Sequence, residues 1–193
     1  MPLPIGILAL QGDVREHADT LRAIGEEPIL VKTEAQLRSV SGLILPGGES
    51  TTIQKLSQIF GLFEPIKAAI QAGLPVLGTC AGLILLADRI LDGIPGQMGF
   101  GGLDVTVRRN AFGHQTESFE TDLRFEGVES PVHAAFIRAP LIESVGPAAR
   151  VVSQLADGRI VGAAQDNLLG ISFHPEVTGE TAIHRHFVKL ARG

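Results

Sequence analysis

Tryptophan and tyrosine are missing from these 193 residues, and cysteine occurs once. One thiol cannot close an intramolecular disulfide, so packing must hold the fold, as in a reducing compartment. Surface scaling for a chain of this length has roughly 70% of the extended surface buried on folding, enough for a substantial core without staples. Positive charge is scarce too. Sixteen Lys and Arg face twenty-one Asp and Glu, a formal net charge of −5, and no Lys/Arg-rich run exists to follow a phosphate backbone. Nucleic acid is therefore not an expected partner. No apolar run approaches the roughly 18 residues of a bilayer span. The start, Met1-Pro2-Leu3-Pro4, carries no basic stretch leading into an apolar one, so neither membrane association nor a secretory signal is expected, and the expected location is cytoplasmic.

What the chain does have is a repeated pattern of a short apolar run, a Gly-containing break and a segment at helical spacing. Residues 4 to 10, 28 to 31, 42 to 45 and 75 to 79 are the apolar runs. They alternate with helical spacing at Val14, Ala18 and Leu21, near 34 to 39, through the fifties, and over Ala81 to Arg89. Continuous apolar strands alternating with helices predict a mostly parallel central sheet with helices on both faces, a three-layer α/β fold. After about residue 92 the pattern turns to β-type segments at 103 to 109, 118 to 123, 132 to 138, 150 to 155, 160 to 165 and 168 to 173, several of them expected as antiparallel additions. A closing helix is predicted over 181 to 191. With no repeat, low-complexity segment or long polar linker, residues 1 to 193 are expected to form one domain.

The lone Cys80 sits in Gly78-Thr-Cys-Ala-Gly82, where an apolar strand runs into a Gly-flanked turn that opens a helix. This is the thiol counterpart of the nucleophile elbow. A helix N-terminus favours negative charge on the sulfur, and the amide of Ala81 is free to donate to a developing oxyanion. A thiol nucleophile needs a base, and six histidines are available. His184 and His186 lie two apart on the predicted last helix, do not share a face, and are not read as a metal site. His17 on the first helix reads as packing, and His114 and His133 have no evident partner. His174 follows an apolar strand, at the strand end where open α/β sheets place their ligands. Pro175 biases it toward extended backbone, which sets Glu176 on the same side, able to orient the ring. Cys80, His174 and Glu176 thus read as nucleophile, base and orienter. In Leu43-Ile-Leu-Pro-Gly-Gly-Glu-Ser50 a strand ends in a Gly pair, and Gly48 is the candidate second oxyanion donor.

A Pro-Gly-Gly turn, a Gly-x-Cys-x-Gly elbow and a late His-Pro-Glu, in that order, resemble the class I (triad) glutamine amidotransferases. Further segments span nearly the whole chain: Leu10-Gln-Gly-Asp-Val-Arg-Glu-His17, Glu49-Ser-Thr-Thr52, Arg109-Asn-Ala-Phe-Gly113 with Ser118-Phe119, and Phe136-Ile-Arg-Ala-Pro140. With these the sequence is most similar, within that class, to the glutaminase subunits of pyridoxal 5′-phosphate synthase. The resemblance implies a flavodoxin-like fold and hydrolysis of L-glutamine to glutamate and ammonia through a thioester on Cys80, with no cofactor or metal. It implies glutamine contacts at Gly48, Glu49, Ser50, Arg109, Ile137 and Arg138, and places Gln11 in a region of partner contact and activation. It also implies a partner, the synthase subunit that takes the ammonia and makes pyridoxal 5′-phosphate from ribose 5-phosphate and glyceraldehyde 3-phosphate. Two alternatives stand beside it: a glutaminase serving another synthase, such as imidazole glycerol phosphate synthase, and a non-catalytic docking module.

Overall fold

A computed structural model of the chain describes residues 1–110 and 118–193. In chain order the elements are β1 (Ile5–Leu8), α1 (Val14–Ala23), β2 (Ile29–Val31), α2 (Glu34–Leu37), β3 (Gly42–Leu45), α3 (Ser50–Ile59), α4 (Phe63–Gln71), β4 (Val76–Thr79), α5 (Ala81–Leu86), β5 (Ala87–Leu91), β6 (Leu103–Arg108), β7 (Phe119–Phe125), β8 (Val128–Phe136), β9 (Leu141–Val145), β10 (Arg150–Gln154), β11 (Ile160–Gln165), β12 (Leu168–Ile171) and α6 (Ala182–Arg192).

The strand order β2-β1-β3-β4-β12-β11-β9-β6-β5 begins with five parallel strands. Beyond β12 the sheet continues through antiparallel β11 and β9, and β10 pairs with β11. The expected layers and the antiparallel extension are both present. The inner parallel strands β1, β3, β4 and β12 are buried throughout because both faces are covered: Leu43 and Leu45 enter one core cluster, and Ile44 between them enters the other. α3, α4 and α5 pack on the first face, α1 and α6 on the second.

Three differences from the sequence reading have physical causes. The helix expected to run from Ala81 to Arg89 stops at Leu86, and Ala87–Leu91 becomes a strand parallel to β6. Arg89 there donates to Thr106 Oγ1 at 2.7 Å and to Asp104 Oδ1 at 2.8 Å, cross-strand bonds that a helix could not make. The segments read as strands near 118 to 123 and 132 to 138 do not extend the central sheet. They form a separate hairpin, β7 with β8, whose Leu123, Phe125, Val132 and Phe136 cover the second face beside α6. Finally, α4 and β9 were not anticipated: α4 carries Phe63, Ile66 and Ile70 at helical spacing but lies directly behind the helical segment of the fifties, and β9 is only five residues long and follows Pro140.

In α1 the apolar positions Val14, Ala18 and Leu21 recur at helical spacing, and Gly25, with φ +87°, ends the helix by donating to Arg22 O while Glu26 donates to Leu21 O. Order along the sheet reverses at β1, with β2 on one side and β3 on the other. The crevice outside the carboxyl ends of β1 and β3 is where open α/β sheets bind ligands. Asp13 after β1 bridges that crevice, donating its backbone N–H to Gly47 O after β3 at 2.9 Å.

Candidate active site

Four strand ends converge on one place: residues 9 to 13 after β1, 46 to 49 after β3, Cys80 after β4, and 172 to 176 after β12. β4 and β12 are hydrogen-bonded neighbours, with Thr79 opposite Ile171, and Cys80 N–H donates to Ile171 O at 2.9 Å. The sheet itself therefore brings the Cys80 and His174 segments side by side.

Cys80 has φ 49° and ψ −101°, a conformation between the end of β4 and the first turn of α5. Such left-handed backbone at a non-glycine residue costs about 1–3 kcal/mol and persists only where its surroundings enforce it. Here the enforcement is close packing of the elbow. A Cβ on Gly82 would collide with the carbonyl of Leu45 in β3, so only glycine lets α5 start so near the sheet. The N–H of Ala81 belongs to the first turn of α5, where no helical carbonyl can receive it. Cys80 is only 7% exposed.

His174 and Glu176 are buried, and His174 Nδ1 lies 2.7 Å from Glu176 Oε1. The expected pairing is present, although the chain reaches it through a single 3₁₀ turn over Pro175–Val177 instead of a continued strand. Asp13 enters as a second carboxylate, its Oδ2 3.2 Å from the same Nδ1. Asp13 holds the N-cap position of α1 yet makes no side-chain cap bond; its carboxylate faces the imidazole instead. Burial alone would push the His174 ring down, but Asp13, Cys80 and Glu176 outweigh it and push the ring up to about 12. The imidazole therefore keeps both protons at neutral pH. Burial raises the Glu176 carboxyl above the ordinary carboxylate range, and the neighbouring imidazole pulls it only part of the way back. Ligand atoms of Asp13, His174 and Glu176 lie within 4.8 Å of one another, a spacing that could hold a cation. The Nδ1 of His174 already bonds to Glu176, however, so the two carboxylates serve the ring.

The Gly47-Gly48 turn packs directly on this group. A Cβ on Gly47 would collide with Cε1 of His174, which is why glycine stands there. Gly48 has φ 152°, and the next N–H, of Glu49, donates to Gln11 Oε1 at 2.8 Å. Gln11 thus clamps the turn that carries the candidate oxyanion donor.

Of the expected substrate contacts, Glu49, Ser50 and Arg109 are brought together. Arg109 lies 3.6 Å from Glu49 Oε1. Ile137 and Arg138 follow β8, whose Ala135 O accepts the His174 N–H at 2.9 Å, and Arg138 has left-handed backbone with φ 47°. Ala111, Phe112 and Gly113 of the Arg109 motif, and His114, lie outside the described residues. His133, without an evident partner in the sequence, sits between Asp122 at 2.8 Å and Glu120 at 2.7 Å on the hairpin, and these carboxylates raise its ring above the ordinary histidine value.

Sequence reasoning missed Gln97, in the Gly-rich stretch 93 to 102. Its amide nitrogen donates to Ser50 Oγ at 2.9 Å, and its Oε1 accepts from Arg109 at 2.8 Å. One side chain thereby fixes two expected substrate contacts, and no motif marks it. Replacing Gln97 by Ala leaves Arg109, among the described residues, held by Glu49 alone and should raise the KM for glutamine roughly tenfold with kcat changed less than about twofold, since the loss falls on binding. Steady-state kinetics checks this split; a fall in kcat with KM unchanged would contradict it.

The SNO glutamine amidotransferase family model matches residues 7–192. The chain belongs to the SNO glutamine amidotransferase family. It is 56% identical over 191 residues, 98% of this chain and 96% of the other, to the pyridoxal 5′-phosphate synthase subunit PdxT of Leifsonia xyli subsp. xyli. The like-named protein of Clavibacter sepedonicus is 58% identical over 187 residues, 96% of this chain and 90% of that one. A solved structure described as a glutamine amidotransferase superposes with a TM-score of 0.91 at 43% identity, covering 98% of this chain and 99% of its own. Among the described residues no helix is long and apolar enough to cross a membrane.

Proposed function

We propose that this protein is the glutaminase subunit of a pyridoxal 5′-phosphate synthase, working in the cytoplasm, and that Cys80, His174 and Glu176 carry its chemistry. The observation behind the reading is that nucleophile and base lie just beyond the ends of adjacent hydrogen-bonded strands, with Glu176 Oε1 2.7 Å from the base. The near-full-length likeness to PdxT proteins supplies the partner.

The thiolate of Cys80, its proton held by His174, attacks the side-chain amide carbon of L-glutamine. The C–S bond forms as the carbonyl becomes an oxyanion, which the N–H groups of Gly48 and Ala81 receive. His174, already doubly protonated, gives a proton to the amide nitrogen, and the C–N bond breaks to release ammonia. The ring, now neutral, takes a proton from water as the oxygen adds to the thioester carbon. Collapse expels the thiolate, leaves glutamate and restores the imidazolium. Arg109 or Arg138 offers a guanidinium fork for the substrate α-carboxylate. Gln11, bonded to the turn beside Gly48, is positioned to report docking of the synthase subunit to that turn.

Glutamate release measured with and without the cognate synthase subunit tests the reading. Turnover is expected in the complex, with pyridoxal 5′-phosphate formed from glutamine as the nitrogen source. A complex that makes the product only from added ammonium salts would overturn it.

A further inference from the structure

Behind the site lie two buried histidines that the reaction does not use. His17 on α1 and His184 on α6 are both 0% exposed, and His17 Nδ1 lies 2.8 Å from His184 Nε2. The other nitrogen of His17, Nε2, is 3.2 Å from Thr79 Oγ1 and 3.6 Å from Glu176 Oε1. That carboxylate oxygen is the same one that bonds His174. Thr79 is the residue before Cys80. One ring thus touches both the end of the nucleophile strand and the acid that orients the base.

The proton positions follow from the partners. Burial, then the neighbouring His184 and His174, hold His17 well below its usual value, and burial pulls His184 down to about 4, so both rings are neutral and carry one proton each. A bare Nε2 on His17 would aim its lone pair at a carboxylate oxygen, which repels it. With the proton on Nε2, His17 donates to Thr79 Oγ1 and turns the positive end of its N–H dipole toward Glu176. His17 Nδ1 is then the acceptor for His184 Nε2–H. His184 Nδ1 is left bare and, among the described residues, has no hydrogen-bond partner, so this tautomer pair leaves a lone pair unsatisfied there where the opposite pair would leave an N–H.

We propose that His17 is a positioning residue for the glutaminase reaction: held by His184, it fixes Glu176 against the Thr79-Cys80 end of β4. The inference rests on the reading of Glu176 as the orienter of His174. The buried Glu176 carboxylate meets both rings at one oxygen: His174 Nδ1 at 2.7 Å and His17 Nε2 at 3.6 Å both lie against Oε1. Burial and Asp13 disfavour its charge, so a second donor dipole at that oxygen counts in keeping it ionised.

The test is His17→Phe in the full complex with the synthase subunit, with His17→Gln beside it, because the glutamine amide nitrogen can replace Nε2. His17→Phe should lower kcat roughly 10- to 100-fold, the size seen for partners that orient a functional group, with KM within about twofold. Losing the donor raises the Glu176 carboxyl further, so activity on the acid side should fail at a higher pH than in the wild type. His17→Gln should recover most of the rate and the wild-type acid limb. A folded, docked His17→Phe with wild-type kcat and acid limb overturns the proposal. If that variant does not fold, nitrogen-15 NMR of the wild-type imidazoles decides: a neutral His17 protonated on Nε2 at pH 7 supports it, and protonation on Nδ1 overturns it. Cys80→Ala run in parallel separates the two readings, since an active Cys80→Ala would sink the triad itself and leave the His17 tautomer to be judged by NMR.

Discussion

Replacing Cys80 by Ala should abolish glutamine hydrolysis in the synthase complex, lowering turnover by roughly 10⁴- to 10⁶-fold, as loss of the nucleophile does where nucleophile and base act as a unit. Folding is expected to survive the change. Alanine keeps the Cβ of Cys80, so its tolerance of the backbone at φ 49° is no worse, and the elbow is enforced by the packing of Gly82 against Leu45, which the substitution leaves alone. The sulfur removed is one small buried atom, and its cavity should cost no more than about 1–2 kcal/mol. Pyridoxal 5′-phosphate synthesis by the complex should persist with ammonium salts and fail with glutamine. Glutamate release, the melting temperature and co-elution with the synthase subunit read the three parts separately. Retention of partner-stimulated hydrolysis would mean that the thiol is not the nucleophile.

His174→Asn is the second large effect, a loss of roughly 10³- to 10⁵-fold in kcat, while Glu176→Gln should cost at least about tenfold less. Asparagine can still bond to Glu176 from near the Nδ1 position, so the strand ends stay in place, but it can neither give a proton to departing ammonia nor take one from water. Glutamine at 176 removes one of two carboxylates beside the imidazole. Asp13 Oδ2, 3.2 Å from Nδ1, remains to hold the ring and its second proton. Asp13→Asn combined with Glu176→Gln should therefore lose more than the product of the single losses, because each carboxylate covers for the other. The reverse order, with Glu176→Gln the worse single change, would exchange the roles of base and orienter.

The parallel half of the fold was legible because its inner strands β1, β3, β4 and β12 are buried on both faces and so read as short, mostly apolar runs between Gly-containing breaks. Apart from β9, the antiparallel half was legible as strands but not as an arrangement. Nothing in the alternation of Phe119–Phe125 and Val128–Phe136 says whether a hairpin extends a sheet or lies across it. The Ala81–Leu86 helix gave no sign of its end, since all six of its residues are buried and no polar face marks where helical spacing stops. Cys80, His174 and Glu176 were readable from local chemistry: glycines around a thiol, and a proline that sets a histidine apart from helix. Asp13, Gln97 and His17 were not readable, because their roles come from partners far along the chain. An aspartate before a helix looks like a cap, a glutamine in a Gly-rich loop looks like solvent, and a histidine on an amphipathic helix looks like packing.

The pairing of β12 with β4 also sets an order of events during synthesis. β12 is the last strand made, and until it arrives the strand that leads into the nucleophile has β3 on one side and an open edge on the other. Pairings between segments so distant in sequence form slowly, after the local βα units that precede them. A nascent chain still short of residue 168 would hold Cys80 at its elbow with no base beside it. It would also present Val76–Thr79 as an unpaired apolar edge, the kind of surface on which unfinished chains associate with one another. The last strand to leave the ribosome closes that edge, and His174 directly behind it supplies the base, so a chain cut short before residue 168 is expected to be inert and to aggregate in a sedimentation assay.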